Sequence, residues 1–157
     1  MVTKRRMTIA AVFAACVVAP AFAVDPADQH RIVTPNDLKW MDVPSLPPGA
    51  KVAVIEGHPD KPGPVTIRIK LPPNYRIAPH FHGTIERSTI MSGTLNIGMG
   101  EKFDTQKTTP MAPGTVLLMP PKMPHFAWTA GEVIFQLNVE GPWTVTYINP
   151  NDDPRSK

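Results

Sequence analysis

Cysteine is almost missing from this sequence: Cys16 is the only one in 157 residues. Neither an intrachain disulfide nor a thiolate cage for a structural zinc can form, so hydrophobic burial must hold the fold together. Long helical periodicity is missing too, since no stretch repeats apolar residues every three to four positions over three turns, which argues against a helical bundle. The one helix-start signal is Thr34-Pro35-Asn36-Asp37-Leu38, enough for a single turn. The longest apolar run, residues 7–19, is about thirteen residues and falls short of the roughly twenty that a bilayer span needs. Finally, the excess of positive charge is local. Of 16 Lys plus Arg, three (Lys4, Arg5 and Arg6) precede that apolar run, which leaves 13 cations against 13 Asp plus Glu. Nothing in that balance suggests a nucleic acid or an anionic membrane as partner.

Those three cations, the apolar run and the small residues of Ala21-Phe22-Ala23 together have the form of a Sec-type export signal. Residues 1–23 are therefore expected to be removed after Ala23 and the mature protein to be periplasmic or secreted, with Cys16 lost alongside. An uncleaved anchor is the alternative that the short apolar run disfavours. A lipoprotein attached through Cys16 is disfavoured by Val17 and Val18, which stand where a polar tether is expected. The remaining 134 residues suit one domain with one core. Residues 24–50 read as an N-terminal arm, packed along the domain, lying across a partner subunit or disordered, and 149–157 as a polar tail.

Proline, by contrast, is abundant: 20 residues, mostly in clusters such as Pro47-Pro48-Gly49, Pro72-Pro73-Asn74 and Pro120-Pro121. Between the clusters lie short stretches rich in β-branched and aromatic residues, at 51–56, 65–71, 77–82, 86–92, 94–99, 115–119, 125–129, 133–139 and 144–148. Prolines interrupt strands at little cost when they sit in the turns. The fold class this predicts is all-β and antiparallel.

Chemistry concentrates in His80-Phe81-His82-Gly83-Thr84-Ile85-Glu86 and in His125. Histidines two apart on an extended segment point the same way, so both rings reach one ion. A bend at Gly83 brings the Glu86 carboxylate back toward them, and His125 arrives from a neighbouring strand. Three imidazoles and one carboxylate suit one divalent first-row metal, manganese, iron, nickel or zinc. The competing explanation is that His80 and His82 are surface or core histidines on a strand; His30 and His58, outside these segments, are expected to be ordinary surface histidines.

With Gly93, Gly114 and Pro120 added, the pattern resembles the cupin superfamily. The first cupin motif, Gly-x5-His-x-His-x3,4-Glu-x6-Gly, is met at His80, His82, Glu86 and Gly93, with Asn74 in place of its opening glycine. The second, Gly-x5-Pro-x-Gly-x2-His-x3-Asn, is met at Gly114, Pro120 and His125, with Lys122 and Thr129 in place of its second Gly and its Asn. The resemblance covers residues 51–148. It implies a single cupin, a jelly-roll antiparallel β-barrel with the metal in its mouth and Glu86 able to accept a substrate proton, but it does not imply one reaction.

Alternation then suggests the pocket. With Glu86 facing in, Ser88, Ile90 and Ser92 face in as well; with His125 facing in, so do Ala127 and Thr129. Ser88, Thr129 and Gln136 are the expected polar lining, Gln136 as a donor, although a solvent-facing Gln136 fits equally. Phe81, Met91, Met119, Met123, Phe126 and Trp128 are expected to pack, and Phe126 and Trp128, on the outward face, to need the cover of a homodimer. Three functions fit: a dioxygenase-like, metal-dependent oxidoreductase acting on a small oxygenated compound, a small-ligand-binding or sensing module, and an inert barrel with a structural ion. The partner expected in the first two is a small molecule.

Overall fold

Two strands carry the clearest alternation and form the middle of the structure. The computed structural model describes residues 30–157; the expected export signal, its cleavage after Ala23 and residues 24–29 of the arm lie outside the described residues. The fold below is that of Val33–Lys157, one of two units of the chain. Its strands are β1 (Met41–Asp42), β2 (Lys51–Glu56), β3 (Gly63–Leu71), β4 (Arg76–Phe81), β5 (Glu86–Ser92), β6 (Leu95–Met99), β7 (Thr108–Met111), β8 (Val116–Met119), β9 (His125–Thr129), β10 (Val133–Gly141) and β11 (Thr146–Tyr147). They form two antiparallel sheets, ordered β1-β2-β3-β10-β5-β8 and β11-β4-β9-β6-β7. This is the all-β jelly roll that the sequence predicts.

In β3, Val65, Ile67, Ile69 and Leu71 are buried while Thr66, Arg68 and Lys70 stay half-exposed. In β10, Val133, Phe135, Leu137 and Val139 are buried while Ile134, Gln136 and Asn138 are not. The strands pair in register from Val133↔Leu71 to Gly141↔Gly63, so eight apolar side chains enter the interior together. Each contributes roughly 1.5–3 kcal/mol by leaving water. That row is the floor of the core. Among the described residues the only helical pieces are short 3-10 turns, the first at Pro35–Asp37 with Thr34 and Asp37 capping each other.

Two strands went unread in the sequence. β1 is only two residues long, and β7 contains Pro110, which an edge strand tolerates because one side of it has no partner. From Met41 onward the arm packs along its own barrel: Met41 and Asp42 pair with β2, Val43, Leu46 and Ala50 are buried, and the Tyr75 and Tyr147 hydroxyls donate to the carbonyls of Pro47 and Ser45. The tail is pinned as well, with the Arg155 guanidinium bonded to Asp153 and to the Val145 carbonyl.

Phe126 corrects an expectation. It does face away from the barrel interior, yet it is completely buried by its own chain. Its ring lies across Gly98, where a Cβ would stand 2.1 Å from it, and under Phe103, whose outer face carries the Arg76 guanidinium 3.6 Å from the ring centre. Trp128 is half-buried and donates its indole N–H to the Thr108 hydroxyl at 3.3 Å. The segment between β6 and β7 therefore covers Phe126, while Trp128 is tied to the first residue of β7, and the buried Phe126 ring supplies no argument for a homodimer. Met91 and Met123 are exposed rather than packed, unlike Met119.

Candidate metal centre

A β-bulge sets the direction of the first histidine. β4 pairs with β9 at Ile77↔Ala127 and then at His80↔His125, so three steps on one strand answer two on the other. Ile77 and His80 are both buried and both line the interior, which simple alternation from Ile77 would forbid. The extra residue is absorbed at Ala78-Pro79. The Ala78 carbonyl beside it accepts a hydrogen bond from His80 Nδ1 at 2.8 Å.

The other two rings are held in the same way. His82 Nδ1 donates to the Thr144 carbonyl at 2.7 Å, and His125 Nδ1 donates to the Met123 carbonyl at 3.0 Å. A carbonyl only accepts, so each Nδ1 carries the hydrogen and each Nε2 keeps a free lone pair. The ring centres are 4.3–5.1 Å apart, and one ligand atom from each of His80, His82 and His125 lies within 4.8 Å of the others. All three are buried.

Burial keeps these rings neutral. Desolvation drives His80 well below the usual imidazole range, with His125 and His82 adding to the effect; it lowers His82 to about 4 and pulls His125 down too. Glu86, at the start of β5, moves the other way, because burial raises its carboxyl despite the indole N–H of Trp143 donating to Oε1 at 2.8 Å. The 3.2 Å contact between Glu86 Oε2 and His82 Nε2 is close enough for an ion pair. Burial opposes that reading, because it disfavours the charged form of both groups. Three buried imidazoles with ligand atoms close to one another form a donor set that a divalent first-row ion takes, so the residues present fit such a group; the Glu86 carboxyl touches one of the three, His82, and lies outside the group of atoms that are mutually within 4.8 Å.

Trp143 was not singled out in the sequence. It holds Glu86 and lies nearly parallel to the His82 ring, 16° between planes with centres 6.2 Å apart. An isolated Gly-Pro-Trp after a strand gives little signal, because its role depends on where the turn carries the ring.

The cavity in front of these groups is lined by Ser88 as expected, but not by Gln136 or Thr129. Gln136 lies on the outer face of β10, where its carbonyl accepts from Arg68 Nε at 3.3 Å. Thr129 is buried at the far end of β9, its hydroxyl donating to the Pro72 carbonyl and accepting from the Tyr75 amide. Ser92 is exposed, because a register shift between Ile134 and Phe135 ends the alternation beyond Ile90. Asn74 and Lys122, where the cupin motifs carry glycine, are the two described non-glycine residues with positive φ, 57° and 60°. The substitutions keep the left-handed turn that glycine ordinarily supplies. His30 and His58 are exposed.

The AraC-like ligand binding domain family matches residues 63–153, more than half of the chain. The polyketide cyclase RemF from Streptomyces resistomycificus superposes with a TM-score of 0.68 at 20% identity, covering 82% of this chain and 92% of its own. An RmlC-like cupin from Shewanella frigidimarina gives 0.55 at 12% identity over 71% and 91%. A protein with a double-stranded β-helix domain from Klebsiella pneumoniae gives 0.56 at 18% identity over 75% and 98%. At these identities the likeness is one of fold. No curated protein matches the chain.

Proposed function

The chain belongs to the AraC-like ligand-binding domain family, a single cupin domain, and from that premise we propose that it is an exported metal-binding cupin, a dioxygenase-like oxidoreductase acting on a small oxygenated compound. The observation that carries this reading is the convergence of three neutral imidazoles with their Nδ1 atoms tied back to carbonyls. His80, His82 and His125 hold the ion and Glu86 completes the set. A divalent first-row ion bound there would supply Lewis acidity and, for a redox-active metal, electron transfer with dioxygen.

The protein's own contribution is to place and protect. The apolar wall of Ile69, Leu95, Phe135 and Leu137 leaves room for only a few waters beside the donor set. Among the described residues Glu86 is the one carboxyl lining the cavity, which places it to take a proton from a bound substrate. Trp143 fixes one oxygen of that carboxyl and leaves the other turned toward His82.

A second reading, a non-catalytic ligand-binding or sensing cupin, is favoured by the family's description and by the lack of any second acid or base in the cavity. An inert barrel with a structural ion has no such support. Export rests on the sequence of residues 1–23. Among the described residues no helix is long and apolar enough to cross a membrane.

Metal analysis of protein recovered after native export should find about one divalent ion per chain, with oxygen uptake on some member of a panel of enols, catechols and carboxylates. Thermal stabilisation by those compounds without oxygen uptake selects the binding reading. A chain recovered without metal contradicts both.

A further inference from the structure

The cavity carries information about its ligand beyond the donor atoms. Five polar side chains line it: the three histidines, Glu86 and Ser88. The rest of the wall is apolar apart from the Trp143 N–H, which Glu86 already occupies. Among the described residues no lysine, arginine, asparagine or glutamine faces in.

Charge counting limits what can bind. Three neutral imidazoles bring no charge and the Glu86 carboxylate brings one negative charge, so a divalent ion keeps one positive charge for the ligand to balance. A dianion such as a dicarboxylate would leave a buried negative charge with no cation to pair. A sugar would bring several hydroxyls into a wall able to satisfy few of them. Ser88 is the exception: it is 3% exposed, lines the cavity, and among the described residues its hydroxyl forms no hydrogen bond.

Size limits it further. The cavity leaves about 40 Å³ for the centres of water-sized spheres, room for on the order of three waters. Only the coordinating end of a ligand fits inside. The body must lie in the mouth, where the lining residues that keep partial exposure are Ile97, Leu117 and Trp143, two aliphatic side chains and an aromatic ring.

Resting on the metal-site reading above, we infer that the ligand is a singly charged oxygen chelator carried on an apolar or aromatic body, with the Ser88 hydroxyl bonding to one of its oxygens. Enols, phenols and hydroxyketones belong to this class; dicarboxylates and sugars do not.

The test uses the exported protein loaded with zinc, which is redox-silent, with zinc content measured before and after titration. Benzohydroxamate, acetohydroxamate and oxalate are the calorimetric probes, since all three chelate through two oxygens and differ in charge and body. Benzohydroxamate should bind at least about tenfold tighter than acetohydroxamate, the gain from burying a phenyl ring. Oxalate should bind at least about tenfold more weakly than acetohydroxamate once each is referred to its affinity for aqueous zinc. Ser88→Ala should weaken benzohydroxamate roughly threefold to tenfold at unchanged zinc content. Leu117→Lys, which places a cation at the half-exposed mouth, should move the preference toward oxalate. If zinc is retained and oxalate is preferred, or the phenyl ring gains nothing, the ligand class is wrong and the metal site stands. If no zinc is held, both fall.

Discussion

The two ends of β9 bury polar groups in different ways. At one end the Thr129 hydroxyl is paired on both sides, with the Pro72 carbonyl and the Tyr75 amide. At the other end His125 satisfies its outer nitrogen on a carbonyl and turns its inner nitrogen toward two other rings that do the same. Three residues separate them on one strand. A buried polar group that the protein fully pairs stabilises the fold; a group of lone pairs left facing each other without protein donors costs stability, and a cation recovers that cost.

The largest way to break this contrast is substitution at each end. His82→Ala should reduce metal affinity by at least about a hundredfold, read by competition with a chromophoric chelator, while the metal-free protein still melts cooperatively. Thr129→Val should leave metal affinity unchanged and cost about 1–3 kcal/mol in denaturant unfolding, because it strands a buried amide and a carbonyl. An equal loss of metal affinity in both variants would erase the distinction.

Next in size is Trp143→Phe, which keeps a ring beside His82 and removes the donor to Glu86. Metal affinity should fall roughly tenfold to a hundredfold, the usual cost of losing a hydrogen bond that orients a ligand. The pH dependence of metal uptake should change with it, which a packing defect alone would not produce.

A smaller effect concerns stability without metal. The folded-state imidazole values lie below the ordinary 6.5, so as pH falls from 6.5 toward about 4 the unfolded chain takes up protons that the folded one refuses. The melting temperature of the metal-free protein should drop across that window. Glu86 has the opposite sign: its raised value makes the ionised carboxyl a burden that grows as pH rises above the ordinary 4.5. Glu86→Gln should therefore raise the metal-free melting temperature near neutral pH by a few degrees while weakening metal binding. A lower melting temperature would show that the carboxylate is paired in the metal-free fold. Smallest of all, Gln136→Ala on the outer face should change ligand binding by less than about twofold, since it lies outside the cavity.

Much of this was legible in the sequence because strand periodicity is written residue by residue. Nine stretches read as strands, and each contains or overlaps one. His80, His82, Glu86 and His125 were singled out together because that donor chemistry is rare at that spacing. Geometry that depends on a partner was not legible. The bulge at Ala78-Pro79 inverts the phase on which alternation relies, and only pairing with β9 reveals it. In β10, alternation places Gln136 and Asn138 on one face and Phe135 and Leu137 on the other, but it does not say which face is inside. Trp143 reaches Glu86 across 57 residues of chain, beyond any local pattern. Phe126 faces outward as alternation required; the Phe103 that covers it comes from a loop without periodicity.

Diffraction from crystals of the protein purified from its native host, collected across the absorption edge of whichever metal it carries, tests the central claim most directly. The account predicts one anomalous peak per chain, about 2.0–2.2 Å from the Nε2 atoms of His80, His82 and His125. A peak bound through other residues, or none in protein that retains its fold and its ligand, would contradict it.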